Sequence, residues 1–272
     1  MWINNLNPVL LQLGFLQIRW YGLVYVLGFF LAAWWLFQAQ KKHKIELDSE
    51  GIWDLLFYIM LGILIGSRVF MIFWNPEIYL FHPLNLFKIW EGGMSFHGGF
   101  VGSIIACYFY CQKKKLNFWV IADILSAPII LALALGRIAN FINGELVGRV
   151  WNGSWCVVFP NYDNLCRHPN MIYSFVERFT VFLWLWSLSV RKTFTPGQVT
   201  SVRDQPPSPF AAGFIFWNLV LWEGVGRILM DYFREDILYY GWSLGQWFSL
   251  IMVIVATVIL IKKYRQDLKT IF

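Results

Sequence analysis

From Leu135 to Arg149 the chain reads Leu-Gly-Arg-Ile-Ala-Asn-Phe-Ile-Asn-Gly-Glu-Leu-Val-Gly-Arg, a polar cluster inside otherwise hydrophobic sequence. An arginine at the centre of a membrane helix costs about 2.5–3.5 kcal/mol on insertion scales. Charges kept at that cost generally serve binding, pairing or chemistry. Positions 137, 140 and 144 fall on one helical face, so Arg137 and Asn140 can point into one site. The guanidinium fork is rigid, permanently charged and suited to phosphate. Asn143, Glu145 and Gly148 complete the run.

Four further polar sets stand at comparable places. Gly92-Gly-Met-Ser-Phe-His-Gly-Gly99 leads into a hydrophobic stretch, and His97, followed by Gly98 and Gly99, could take a proton near neutral pH. Gly224-Val-Gly-Arg-Ile-Leu-Met-Asp-Tyr-Phe-Arg234 spaces Arg227 and Asp231 for pairing on one helix face. Arg19-Trp-Tyr-Gly22 puts Tyr21 at the mouth of the first apolar stretch, and His168-Pro-Asn170 stands with Tyr173. Two arginines beside a lipid-accessible space suit a phosphate headgroup, and a nearby base suits activation of an incoming nucleophile. Blander roles stay open: Arg137 snorkelling with a surface Glu145–Arg149 pair, a helix-entry His97, an interfacial anchor at Tyr21, a simple helix start at His168.

The elements that must hold these groups are membrane spans. Of 272 residues, 58% are hydrophobic and 14% charged, against roughly a quarter charged in soluble domains. A span needs about 20 apolar residues. By that measure seven are expected, at about 20–40, 52–75, 96–112, 118–137, 171–190, 209–229 and 244–261. Met1-Trp-Ile-Asn-Asn lacks a basic leader region, so Tyr21 to Gln38 is expected to be an uncleaved first span. Lys41, Lys42 and Lys44, then Lys113 to Lys115, Arg191 with Lys192, and Lys262, Lys263 with Arg265 follow alternate spans. The positive-inside rule puts those ends, and the C-terminus, in the cytoplasm and the N-terminus outside. The net charge of +6 is therefore topological rather than a footprint for nucleic acid.

The whole chain, 1–272, is expected to be one all-α polytopic membrane domain with 138–170 as its main outer loop. The first eighteen residues are expected along the outer interface, 76–95 as an aromatic interfacial loop, and 193–209, with Pro206-Pro207, as a cytoplasmic loop. Cys107 and Cys111 read as packing residues; whether Cys156 and Cys166 bridge is left open by spacing. No zinc-ligand spacing, nucleophile elbow or phosphate loop is present, so the expected chemistry uses His, Arg, Tyr and Asn without metal or cofactor.

The runs at 92–99 and 136–149, with Arg19-Trp-Tyr-Gly22, Arg167-His-Pro169 and Ser243-Leu-Gly-Gln246, resemble bacterial prolipoprotein diacylglyceryl transferases in order along nearly the whole chain. The resemblance implies transfer of diacylglyceryl from phosphatidylglycerol to the lipobox cysteine of a preprolipoprotein signal peptide. It also implies an inner-membrane location with the site towards the periplasm. Arg137 would meet the headgroup, and His97, Asn140, Gly148, Tyr21 and Arg227 would be needed for activity. The chain departs from the family pattern at Asn170-Met-Ile-Tyr-Ser174, where Ser-Gln-Leu-Tyr-Glu is usual, and at Asp231, where Glu is usual. Its inner loop also looks longer. A flippase or anionic-substrate transporter is the rival reading, set against by apolar inner span halves such as Ile251-Met-Val-Ile-Val255.

Overall fold

The computed structural model describes residues 2–13, 16–88, 94–190 and 210–271. Trp90, Gly92, Gly93, the basic pair Arg191–Lys192 and the loop at 193–209 lie outside the described residues. The chain order is β1 (Trp2–Ile3), β2 (Val9–Leu13), β3 (Leu16–Arg19), α1 (Trp20–Lys41), α2 (Ser49–Val69), α3 (Met71–Trp74), α4 (Pro76–Phe81) and a 3-10 turn at Pro83–Phe87. There follow α5 (Phe96–Lys114), α6 (Phe118–Asn143), β4 (Val157–Val158), β5 (Cys166–Arg167), α7 (Asn170–Val190) and α8 (Phe214–Asp231). The series closes with β6 (Leu238–Tyr239), β7 (Trp242–Ser243), α9 (Leu244–Lys263) and α10 (Arg265–Lys269).

Among the described residues, four helical segments, Trp20–Lys41, Ser49–Phe73, Phe118–Asn143 and Leu244–Lys263, are long and apolar enough to cross a membrane. Phe30, Phe57, Ile65 and Phe109 turn outward, an apolar surface that only lipid would cover at low cost. This is a mostly helical membrane protein. The helices α5, α7 and α8 stand at the other expected spans, and α7 and α8 carry charges within them.

Several boundaries differ from expectation, each for a local reason. The second span begins at Ser49 rather than 52, because the Asp48 side chain caps it by accepting from the Gly51 N–H at 2.8 Å. It breaks at Phe70 and resumes as the short α3. The fourth runs to Asn143 rather than 137, so residues 138–143 are helix and not outer loop. The sixth begins at Phe214 rather than 209. Gly213 precedes it at φ 97°, and the buried Asp123 carboxylate of α6 accepts from the Gly213 and Phe216 N–H groups at 2.7 and 2.8 Å. The segments outside the helices also hold strands where only loop was expected: β1 pairs in parallel with β4, β4 pairs with β5, and β2–β3 and β6–β7 form hairpins.

The described residues group into two compact units, one drawn from 1–35, 122–198 and 206–272 and the other from 36–121. The first has a core of Ile130, Leu185, Leu188, Phe214, Leu219 and Tyr264. Its cap of short strands ties Trp2 and Asn4 to the end of α6: Asn4 donates to the Phe141 carbonyl at 2.7 Å, and Trp2 stacks on Phe141. A Cys156–Cys166 disulfide fastens the segment carrying β4 and β5, which answers the question the spacing left open. Cys107 and Cys111 are free and buried, as packing residues are.

The second unit is built on close contact between α2 and α5. A Cβ on Gly102 would come within 2.1 Å of the Gly62 carbonyl oxygen, and one on Gly98 within 2.3 Å of that of Gly66. Without side chains there, the two backbones touch and gain dispersion contacts that lipid cannot replace. Arg68 anchors the segment after α4 by donating to the carbonyls of Asn85, Leu86 and Lys88 at 2.5, 3.0 and 3.1 Å. Gly102→Ala is expected to destabilise this packing by about 1–3 kcal/mol, read as a lower thermal midpoint in detergent; an unchanged midpoint would show that the helices can part at no cost.

Candidate functional site

The expected cluster on α6 forms as a side-chain relay. Arg137 Nη1 donates to Asn140 Oδ1 at 3.5 Å, and Asn140 Nδ2 donates to Glu145 Oε2 at 3.2 Å. Asn143 Nδ2 donates to Glu145 Oε1 at 3.3 Å. Glu145 reaches back because the helix ends in a left-handed turn: Gly144 has φ 68°, its N–H bonds the Phe141 carbonyl, and the Glu145 N–H bonds that of Asn140. Glu145 thereby claims the amide donors of Asn140 and leaves its oxygen towards Arg137. The alternative of a Glu145–Arg149 surface pair is not what forms. Arg149 donates instead to the Arg234 carbonyl at 3.2 Å and stands over the Tyr232 ring.

Arg227 and Asp231 pair at 3.5 Å, as their i,i+4 spacing predicts. Asp231 also faces Arg234 at 3.9 Å. The start of α9 packs on this pair. Ser243 and Gln246 form a reciprocal capping box, and a Cβ on Gly245 would meet Asp231 Oδ2 at 3.0 Å and Arg227 Nη2 at 3.1 Å. Gln246 Nε2 donates to the Ile228 carbonyl at 3.0 Å. The Ser-Leu-Gly-Gln motif is thus a helix cap shaped to let α9 approach the arginine.

Arg137 lies in the electrostatic field of Arg178, Arg227 and Arg234, with Glu223 as an opposing charge. On α1, Tyr21 and Tyr25 share a hydroxyl contact of 3.0 Å, and Tyr25 feels the charges of Arg137 and Glu145. Tyr21, Arg137, Asn140, Asn143, Glu145, Arg227 and Asp231 therefore belong to one unit.

The remaining expected residues fall elsewhere. His168 sits in an aromatic box in the cap, stacked on Trp151 at 4.4 Å and edge-on to Phe233, with Nδ1 3.2 Å from the Tyr173 hydroxyl. Burial holds its imidazole below the usual pKa, favouring the neutral ring. Gly148 is a packing glycine: a Cβ there would meet the His168 carbonyl oxygen at 2.3 Å, and Gly148 bridges to Arg234. Arg167 holds the same junction, donating to the Gly148 carbonyl and to Glu235 at 2.9 Å each and pairing with Asp163. His97, Gly98 and Gly99 belong to the other unit, at the start of α5. Ser95 caps that helix by accepting from the Gly98 N–H at 3.3 Å, and His97 is buried. Gly98 packs on Gly66 and Phe70, whereas a Cβ on Gly99 would make ordinary contacts from 3.4 Å.

Sequence reasoning missed one set, on α7 and α8. Arg178 Nη2 donates to Glu223 Oε1 at 2.5 Å, with side chains 2% and 3% exposed, and Arg178 Nη1 lies 3.6 Å from Glu177. Arg178 also donates to the carbonyl of Ser174 at 3.4 Å, at the departure from the family pattern. The criterion applied to Arg137, a charge within apolar sequence, picks out these three residues equally well. Glu223→Gln is expected to cost about 3–5 kcal/mol by stranding a buried guanidinium, measured by unfolding in detergent; the double change of Arg178 and Glu223 to Met should recover most of that loss. A single variant as stable as the parent would show that water or lipid phosphate reaches Arg178.

Comparison with known proteins bears on what this arrangement serves. The family model for prolipoprotein diacylglyceryl transferase matches residues 8–262. The chain is 37% identical over 257 residues to the phosphatidylglycerol–prolipoprotein diacylglyceryl transferase of Geobacter sulfurreducens, covering 92% of this chain and 93% of that one. It is 37% identical over 270 residues to the enzyme of the same name from Vibrio cholerae, covering 97% and 94%. With that of Legionella pneumophila it shares 35% over 260 residues, covering 92% and 94%. The chain belongs to the prolipoprotein diacylglyceryl transferase family.

Proposed function

We propose that this protein transfers the diacylglyceryl group of phosphatidylglycerol to the cysteine thiol of a preprolipoprotein lipobox, forming a thioether and releasing glycerol phosphate. Beside the family membership, the observation that carries this reading is the pairing of two arginines on separate helices. Arg137 on α6 and Arg227 on α8 lie in each other's field within one apolar unit, each oriented by side chains around it. Two like charges held close repel unless an anion joins them, and a phosphodiester is an anion that lipid supplies.

The reaction breaks the bond between the diacylglyceryl carbon and its phosphate oxygen and forms a carbon–sulfur bond. Charge gathers on the departing phosphate, where fixed guanidinium groups lower the barrier most. Asn140, set by Glu145, orients Arg137, and Asp231 with Gly245 orients Arg227. The incoming thiol, with a pKa near about 8.5, reacts as thiolate; His97 is our candidate to take its proton. Tyr21 stands as a headgroup contact through Tyr25, while His168 and Gly148 keep the cap's shape.

The membrane arrangement follows the same reading. Seven crossings, by α1, α2, α5, α6, α7, α8 and α9, put the lysine clusters after α1, α5 and α9 on the cytoplasmic side. The N-terminus and the cap of β1, β4 and β5 then lie on the periplasmic side of the inner membrane, where the disulfide is chemically at home.

The test is mass spectrometry of a lipobox peptide incubated with the purified protein and phosphatidylglycerol. A thioether-linked diacylglyceryl adduct with free glycerol phosphate is expected; no adduct from folded protein that still binds the lipid would return the reading to lipid movement without chemistry. In the same assay Arg137→Lys keeps the charge but loses the fork, and turnover is expected to fall about 10²-fold. Near-normal turnover by that variant would rule out two-pronged phosphate recognition.

A further inference from the structure

Glu177 has no part in the mechanism above, yet its position is unusual. Its side chain is 14% exposed, and among the described residues neither carboxylate oxygen accepts a hydrogen bond. Its ionic neighbour Arg178 approaches only to 3.6 Å through Nη1, which donates to the Ser174 carbonyl, while Nη2 is given to Glu223. Oε1 lies against the Gly226 backbone, 1.9 Å from where a Cβ would stand, and Gly226 immediately precedes Arg227. Glu177 also lies in the field of Arg137. The carboxylate therefore stands among the phosphate-facing arginines with its acceptor capacity unspent.

An ionised carboxylate only accepts, and a buried acceptor left unfilled is costly. The occupant must bring donors. Arg178 is paired with Glu223, and the charge of Arg137 still opposes a cation here, which disfavours an ammonium headgroup and favours neutral hydroxyls. Phosphatidylglycerol carries two hydroxyls on adjacent carbons beyond its phosphate, a spacing that two carboxylate oxygens can receive together. On the reading that this site holds a phospholipid, we infer that Glu177 is the specificity residue for the headgroup, accepting from the glycerol hydroxyls while Arg137 and Arg227 hold the phosphate.

Lipid binding tests this independently of turnover. Native mass spectrometry would measure competition between phosphatidylglycerol and phosphatidic acid, which shares the phosphate but lacks the diol, for wild type, Glu177→Gln and Glu177→Leu. Wild type is expected to favour phosphatidylglycerol. Glu177→Leu should lower that preference about tenfold, leave phosphatidic acid binding unchanged, and keep the thermal midpoint within a few degrees. Glu177→Gln, which retains one acceptor, should fall between. An unchanged preference in Glu177→Leu overturns the proposal, as does an equal loss of both lipids with a lowered midpoint, which marks a structural role. Failure of the lipobox assay alone would count against the transferase reading and leave this binding ratio to judge Glu177.

Discussion

Guanidinium groups stay in an apolar helical unit only where something opposes their charge, and the Arg178–Glu223 pair is the contact on which that balance rests. It joins α7 to α8 with both side chains withdrawn from the surface. With Arg178 neutralised, the charge of Arg137 is met by the Asn140–Glu145 relay and that of Arg227 by Asp231. Arg137 thus has Asn140, and Arg227 has Asp231, as an oriented neighbour, and on the proposed function the field around them receives the departing phosphate. The arrangement costs stability relative to an apolar core of the same volume. What it secures is a fixed geometry of charge, which a reaction with a phosphate leaving group can use.

Much of this was legible in the residues because it is local. Apolar runs broken by lysine clusters located the helices, and the spacing of Arg227 from Asp231 and of Arg137 from Asn140 gave their shared faces. What escaped was set by distance along the chain or by backbone shape. Arg178 and Glu223 are 45 positions apart, so no periodicity links them. Glu145 reads as a partner for Arg149 by helical spacing, but the left-handed Gly144 turns the chain back and delivers it to the two asparagines. Strands β4 and β5 have two residues each, too short for alternation to register.

The motif glycines divide by what touches them. Gly98, Gly148 and Gly245 each leave room for a carbonyl or a charged side chain that a methyl group would strike. Gly99 meets no such wall. Runs that resemble a family's site residues therefore mix groups that face the chemistry with groups that let helices and loops come close enough to hold it. The Ser-Leu-Gly-Gln turn of α9 does both: it caps its own helix and presses a glycine against the Arg227–Asp231 pair.

The parallel pairing of β1 with β4 has a consequence for how the molecule is made. Trp2 lies opposite Val157 and Ile3 opposite Val158, so β1 can pair only once β4, far along the chain, has been synthesised. By then α6 has also been made, and Asn4 and Trp2 both settle on Phe141 near its end. The docking of β1 on β4 is thus among the contacts of this unit that carry the largest loop-closure entropy cost, as contacts distant in sequence do. A change at Trp2 or Asn4 would act on that docking step, so the β1 segment reports whether α6 and β4 have already come together.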